Sequence, residues 1–161
     1  MIDVQRNMLL PPEPVPAAAP VAARLNELLT DARGAGIQVI HIRNNGSADD
    51  PDAPGTDGWQ LVHEPRDDEA VIDKTTPDSF AGTNLADFVD PEDRLILVGM
   101  QSEYCVRATA LEAISRGHSV TVVSGAHATY DGDKPADEVS AAVDAELRDA
   151  GVRVTDDPWS W

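Results

Sequence analysis

The stretch from Leu95 to Leu111 constrains this chain more than any other. Leu95-Ile96-Leu97-Val98 is an apolar run that stops at Gly99. A short polar link follows, and a helical pattern opens at Cys105 and continues through Val106, Ala110 and Ile114. A buried strand, a tight turn and a helix N-terminus in that order belong to a parallel α/β unit, because a crossover helix must follow each parallel strand. The rest of the chain repeats the alternation. Met1 to Val4 reads as the end of a first strand. Only two apolar residues precede Asp3, so that strand is short or begins outside this sequence.

From Arg6 to Ala19, Pro11, Pro12, Pro14 and Pro16 forbid regular helix and predict a loop. Pro20 suits the first turn of a helix. Val21, Leu25, Leu28, Leu29 and Ala32 then recur at helical spacing until Gly34 and Gly36. Ile37 to Ile42 reads as a buried parallel strand. Asn44 to Glu69 is long, acidic and rich in Pro and Gly, with Trp59 and Leu61 as its anchors; loops of this length in compact domains are functional or mobile as a rule. The remaining expected elements are a strand at Ala70 to Asp73, a brief helix at Asn84 to Val89 and a strand at Arg94 to Val98. A helix at Glu103 to Arg116 is closed by Gly117, and a strand follows at Ser119 to Val123. A helix from Pro135 to Ala150 ends at Gly151, before an edge strand at Val152 to Thr155. The pattern implies an α/β fold: a three-layer α/β/α, Rossmann-like, open and mostly parallel sheet with helices on both faces and right-handed crossovers. At 161 residues, one domain with a sizeable core is expected over 1–161.

Charge narrows the function. Twenty-nine acidic residues against 12 basic ones give a net charge of −17. Such a surface repels nucleic acid and anionic membranes. No apolar run reaches the length of a membrane span. One cysteine excludes an internal disulfide framework. The opening Met1-Ile2-Asp3 lacks the basic start and apolar stretch of a signal peptide, so the cytoplasm is the expected location.

Cys105 is the residue with chemical promise. A thiol at a helix N-terminus feels the positive end of the dipole, which favours its thiolate, and the free N–H groups there can hold a developing oxyanion. The competing reading is a small buried core cysteine. Asp3 and Lys74 each lie where an apolar run stops. In an open parallel sheet the strand C-termini gather at one edge, so Asp3, Lys74 and Cys105 can converge there. Read one at a time, Asp3 is a turn acid and Lys74 a surface amine.

Together the motifs resemble those of the isochorismatase-like cysteine hydrolases, the superfamily that includes nicotinamidases and N-carbamoylsarcosine amidohydrolases. The matching residues are Ile2-Asp3-Val4-Gln5, Val39-Ile40-His41-Ile42-Arg43, Asp73-Lys74-Thr75, Ser79-Phe80 and Val98 through Val106 with Thr109-Ala110, in order along nearly the whole chain. The resemblance implies a catalytic Asp3, Lys74 and Cys105 and a cis peptide between Met100 and Gln101. It implies hydrolysis of a small-molecule amide through a thioacyl intermediate, with no cofactor. Asp3 would take the thiol proton and later activate water, Lys74 would hold Asp3 and favour the thiolate, and the backbone N–H groups of Met100 and Cys105 would bind the oxyanion.

The chain departs from the metal-binding branch of that family, which carries an Asp-x-His and a further His after the second strand. Here the region reads His41-Ile42-Arg43-Asn44-Asn45-Gly46, and His63 stands alone near Asp57 and Glu64. No metal is therefore expected, and a pyridine carboxamide is disfavoured as substrate. Isochorismatases proper lack the nucleophilic cysteine, so Cys105 disfavours vinyl-ether hydrolysis. Small primary amides, carbamoyl amines and cyclic amides such as the lactam of streptothricin-type antibiotics stay as candidates. Candidate substrate contacts are Gln5, Arg43, Asn44, Asn45, Trp59, Phe80, Tyr104, His127 and Tyr130, while Thr109 reads as helix packing. Two other functions stay open: a degenerate ligand-binding relative, and a redox-sensing thiol that lacks a resolving cysteine. Trp59, Leu61, Trp159 and Trp161 are costly to expose, so a homo-oligomer of at least two copies is expected, with one or both of their segments in the interface.

Overall fold

The computed structural model describes residues 1–160. Its strands are β1 (Ile40–Asn44), β2 (Ala70–Lys74), β3 (Arg94–Met100), β4 (Ser119–Ala128) and β5 (Arg153–Thr155), and its helices are α1 (Arg6–Leu9), α2 (Ala18–Gly34), α3 (Arg107–Ser115) and α4 (Ala136–Asp149). Every ladder is parallel: β1 pairs with β2, and β4 lies between β3 and β5. Ile2 joins the two groups, bridging in parallel to Ile42 of β1 and Gly99 of β3. The spatial order is therefore β2, β1, the opening residues, β3, β4, β5. Backbone bonds fix that central segment. Ile2 N–H donates to Val98 O at 2.8 Å, Asp3 N–H to Ile42 O at 2.9 Å, and Met100 N–H to Ile2 O at 2.9 Å.

Helices cover both faces, as a parallel sheet requires. Successive strand residues point to opposite sides. Leu97 and Val122 join Val106, Ala110, Ala113, Val143 and Leu147 beneath α3 and α4. Their neighbours Val98 and Val123 join Leu25 and Leu28 of α2. Burying each Leu or Val side chain is worth about 1.5–3 kcal/mol, so the two clusters dominate the fold's favourable energy. Gly99 is what lets the opening segment sit against β3. Its φ is +126°, and a Cβ there would lie 1.9 Å from Ile2 O.

Several boundaries differ from expectation, each for a local reason. The proline-rich stretch contains the short helix α1, upstream of Pro11. Helix α2 begins at Ala18, two residues before Pro20, which still falls in the first turn where its missing N–H costs nothing. Strand β1 begins at Ile40 rather than Ile37, because Ile37 N–H turns back to Ala32 O to close α2. The helix expected at Asn84 is a 3₁₀ turn at Leu85–Asp87. Strand β4 runs to Ala128, not Val123. Its pairing passes from Leu97–Val122 to Gly99–His127, so extra β4 residues bulge out and the ladder then resumes. The 44–69 segment is tied down by its own anchors. Leu61 bridges antiparallel to Gln5, and Val62 N–H donates to Val4 O at 2.9 Å.

Candidate active site

Three strand ends meet at the C-terminal edge of the sheet, where parallel α/β folds build their sites. Asp3 ends the central segment and adopts φ 49°, a left-handed conformation uncommon outside glycine. Lys74 is the last residue of β2, and across the ladder it faces Asn44, the last residue of β1. Cys105 follows β3. The Met100–Gln101 peptide is cis, and Ser102–Val106 forms a π-helical turn before α3 begins. The turn is defined by Val106 N–H donating to Gln101 O at 3.1 Å and Arg107 N–H to Ser102 O. The expected α-helical N-terminus at Cys105 is thus a π turn, an element frequent at functional sites.

Lys74 is the hub. Its Nζ lies 2.9 Å from Asp3 Oδ2, 3.3 Å from Cys105 Sγ and 3.3 Å from Asn44 Oδ1. Those contacts use the three donors of an ammonium. The side chains of Lys74 and Asp3 are 0% and 3% exposed, so this is a dry ion pair. Asp3 Oδ1, by contrast, is buried with no hydrogen-bond partner. Burial pushes the Asp3 carboxyl above its ordinary value, although Lys74 pulls the other way. The half-buried Cys105 thiol is pushed up to about 12, first by burial and then by the Asp3 charge, with Lys74 opposing. Burial thus opposes the thiolate that the helix end and Lys74 were expected to favour. What the arrangement can do is move the thiol proton to Asp3, a carboxylate whose affinity for it is raised.

The other candidates divide. Tyr104 is 56% exposed beside the site and is free to meet a substrate. Asn44 is engaged inside the site, its Oδ1 on Lys74 and its Nδ2 on Asp52 Oδ2 at 2.7 Å. Most of the rest are structural. Gln5 is 1% exposed; its Nε2 donates to Asn44 O and Trp59 O, and its Oε1 accepts from Asn44 N–H. Phe80 is buried and stacks on His118 with centroids 6.0 Å apart. Arg43 grips Asp73 with two hydrogen bonds, at 2.7 and 3.2 Å, and lies 3.5 Å over the Trp59 ring. Trp59 Nε1 donates to Asn45 Oδ1 at 2.7 Å, which occupies Asn45 as well. Tyr130 donates its hydroxyl to Glu13 O at 2.9 Å. Thr109 is buried and bonds Ser79 at 2.8 Å, a packing role as expected. Met100 is also corrected as an oxyanion donor, since its N–H is spent on Ile2 O within the sheet.

His127 is 4% exposed with both ring nitrogens occupied, so it meets no substrate. Its Nδ1 lies 2.8 Å from Ser102 Oγ and its Nε2 lies 2.9 Å from Asp144 Oδ1. Ser102 Oγ also pairs with Ser140 Oγ at 2.9 Å, and Ser124 Oγ donates to Asp144 Oδ2 at 3.1 Å. Sequence reasoning missed this network. The available signal was Ser140 and Asp144, four residues apart on α4 and hence on one face of it. Among the described residues no group of three His, Cys, Asp or Glu side chains is placed to hold a metal ion. No described helix is long and apolar enough to cross a membrane. Trp59 and Trp159 pack on their own chain, while Trp161 lies outside the described residues.

Known proteins resemble this chain in sequence and in fold. The family model for the isochorismatase domain matches residues 1–156. A streptothricin hydrolase of Streptomyces noursei is 43% identical over 135 residues, 81% of this chain and 49% of that protein. The chain spans about half the length of the curated relatives it matches. An isochorismatase of Pseudomonas putida superposes with a TM-score of 0.85 at 28% identity, covering 96% of this chain and 84% of that one. A cysteine hydrolase of Pseudomonas syringae pv. phaseolicola superposes with a TM-score of 0.88 at 21% identity, covering 96% and 85%, and shares the fold.

Proposed function

The chain belongs to the isochorismatase family, and we propose that it is a cysteine hydrolase of small-molecule amides acting through a thioacyl intermediate. One observation carries the reading: Lys74 Nζ touches both Asp3 Oδ2 and Cys105 Sγ inside a dry pair of charges. A binding module needs no such trio, and a buried ion pair alone is weak evidence for stability.

Burial opposes a free thiolate, so in this reading proton transfer accompanies attack. As Sγ approaches the carbonyl carbon, its proton passes to Asp3, whose own affinity is raised toward a match. The tetrahedral oxyanion is received by the N–H groups of Gln101 and Cys105, since that of Met100 is taken. Asp3 returns the proton to the departing amine, leaving a thioester on Cys105. Asp3 then draws a proton from water, hydroxide adds to the thioester, and the acid leaves as Sγ regains its proton. Throughout, Lys74 compensates the negative charge that moves between Asp3 and the sulfur.

The 43% identical relatives put streptothricin at the head of a substrate panel, followed by small primary amides and carbamoyl amines. Amine or ammonia release, or lactam opening followed by mass spectrometry, is expected with wild type and absent with Cys105→Ala. Turnover that persists in Cys105→Ala ends the thioacyl reading. The proposal includes a homo-oligomer. Ultracentrifugation at moderate salt, which screens the −17 charge, tests it against the 17.2 kDa chain mass.

A further inference from the structure

We propose that His127 is the positioning residue for the nucleophile, holding Ser102 and through it the π turn that carries Cys105; this rests on the thioacyl reading above. Ser102 opens that turn, three residues before Cys105, and is 0% exposed. It cannot act as a nucleophile itself, because no reactant can reach it. Its hydroxyl is instead the point where three elements are tied together: the turn, β4 through His127, and α4 through Ser140 and Asp144.

The hydrogen bonds run in one direction. Asp144 is a carboxylate, held below its ordinary value against the effect of burial by the hydrogen bonds from His127 and Ser124. It can only accept, so His127 Nε2 carries a hydrogen. In the neutral ring Nδ1 then accepts from the Ser102 hydroxyl, which in turn accepts from Ser140. Within this relay Ser102, His127, Ser140 and Asp144 each have a partner. The β4 bulge is what places His127 here, since it pairs His127 with Gly99 at the exit of β3. A π turn offers fewer alternatives to slip into when its first side chain is pinned at both lone pair and proton.

Such a device acts on the reacting distance, not on binding. A displacement of about 1 Å can cost on the order of 100-fold in rate. The test is the burst of p-nitrophenolate from p-nitrophenyl acetate, which reports acylation of Cys105. Asparagine at position 127 can place a polar atom where Nδ1 sits and keep the Ser102 bond. Glutamine can reach Asp144 but not Ser102. We expect His127→Gln, His127→Ala and Ser102→Ala to acylate about 10- to 100-fold more slowly with the ester concentration that half-saturates the burst rate unchanged, and His127→Asn to stay within about threefold of wild type. His127→Ala combined with Ser102→Ala should be no slower than either alone. Melting temperature and circular dichroism are followed in parallel. A merely structural His127 would lower the melting temperature while leaving acylation of folded protein unchanged, and that result overturns the proposal. Equal losses in His127→Asn and His127→Gln overturn it as well. A wild-type burst that survives Cys105→Ala, or no burst at all, instead defeats the thioacyl reading on which this one rests.

Discussion

Strand β2 carries a buried carboxylate cluster at each end, and the two are built on opposite plans. Before its first residue, Glu69 receives Arg33 Nε at 2.6 Å, Arg33 Nη2 at 2.7 Å, His41 Nε2 at 2.9 Å and the Arg66 N–H at 3.0 Å. Beyond its last residue, Asp3 has one partner for Oδ2 and none for Oδ1. Both carboxylates are almost wholly shielded, at 4% and 3% side-chain exposure. Yet Glu69 is held far below the ordinary carboxylate range, chiefly by the Arg33 fork, while burial drives Asp3 above it. Burial alone therefore does not make a base. A satisfied carboxylate is an inert clamp, which here ties α2 to the sheet. One left short of donors keeps its appetite for a proton.

The contrast can be broken first at the nucleophile. Cys105→Ala should lower amide turnover by on the order of 10³-fold or more while the protein stays folded, because it removes the covalent route and only one partly buried atom from the edge of the core. Next, Asp3→Asn should lower turnover by about 10²-fold or more, measured on the same amide. Glu69→Gln should leave turnover of folded protein untouched and destabilise it by about 3 kcal/mol in urea titration, since Arg33 loses its counter-charge and His41 an acceptor. A Glu69→Gln enzyme that is stable but slow would erase the distinction between the two ends.

Titration sharpens it. Glu69 ionises more readily folded than unfolded, so its stabilisation is complete above its ordinary value and fades as pH falls toward the depressed one. Asp3 has the opposite sign: its proton is held more tightly in the folded chain, so its ionisation costs stability as pH rises through the raised value. As the base, Asp3 must also be ionised, which puts the acid limb of kcat/KM above the ordinary carboxylate range. Glu69→Gln should make stability less dependent on pH below about 4.5 and leave that limb in place. The smallest effect is expected for Arg33→Lys, which loses one arm of the fork. A cost of about 1 kcal/mol with no change in turnover would fit, as urea titration and amide assay can measure.

Much of the frame was legible in the sequence. Strand ends can be read from where apolar runs stop, and in a parallel sheet those ends share one edge. That is why Asp3, Lys74 and Cys105, distant in the chain, come together as the spacing suggests. The roles of Phe80, Gln5, His127 and Arg43 were not legible. Each is a polar or aromatic residue near a strand end or in the loop after one, and pattern alone cannot say which way it faces. The β4 bulge pairs His127 with Gly99, and His127 there meets Ser102.

What the sequence determined by itself is the α/β alternation, the order of its elements and the identity of the three groups at the sheet edge, because these follow from local periodicity and from side-chain chemistry. What only the tertiary structure decided is the state of those groups. A helix dipole and a nearby lysine argue for a thiolate, but the proton balance is set by how much water each group loses and how many donors remain to it. Desolvation and partner count are properties of the packed whole, so the upward push on the thiol, the short-supplied Asp3 and the saturated Glu69 appear only once the chain has folded.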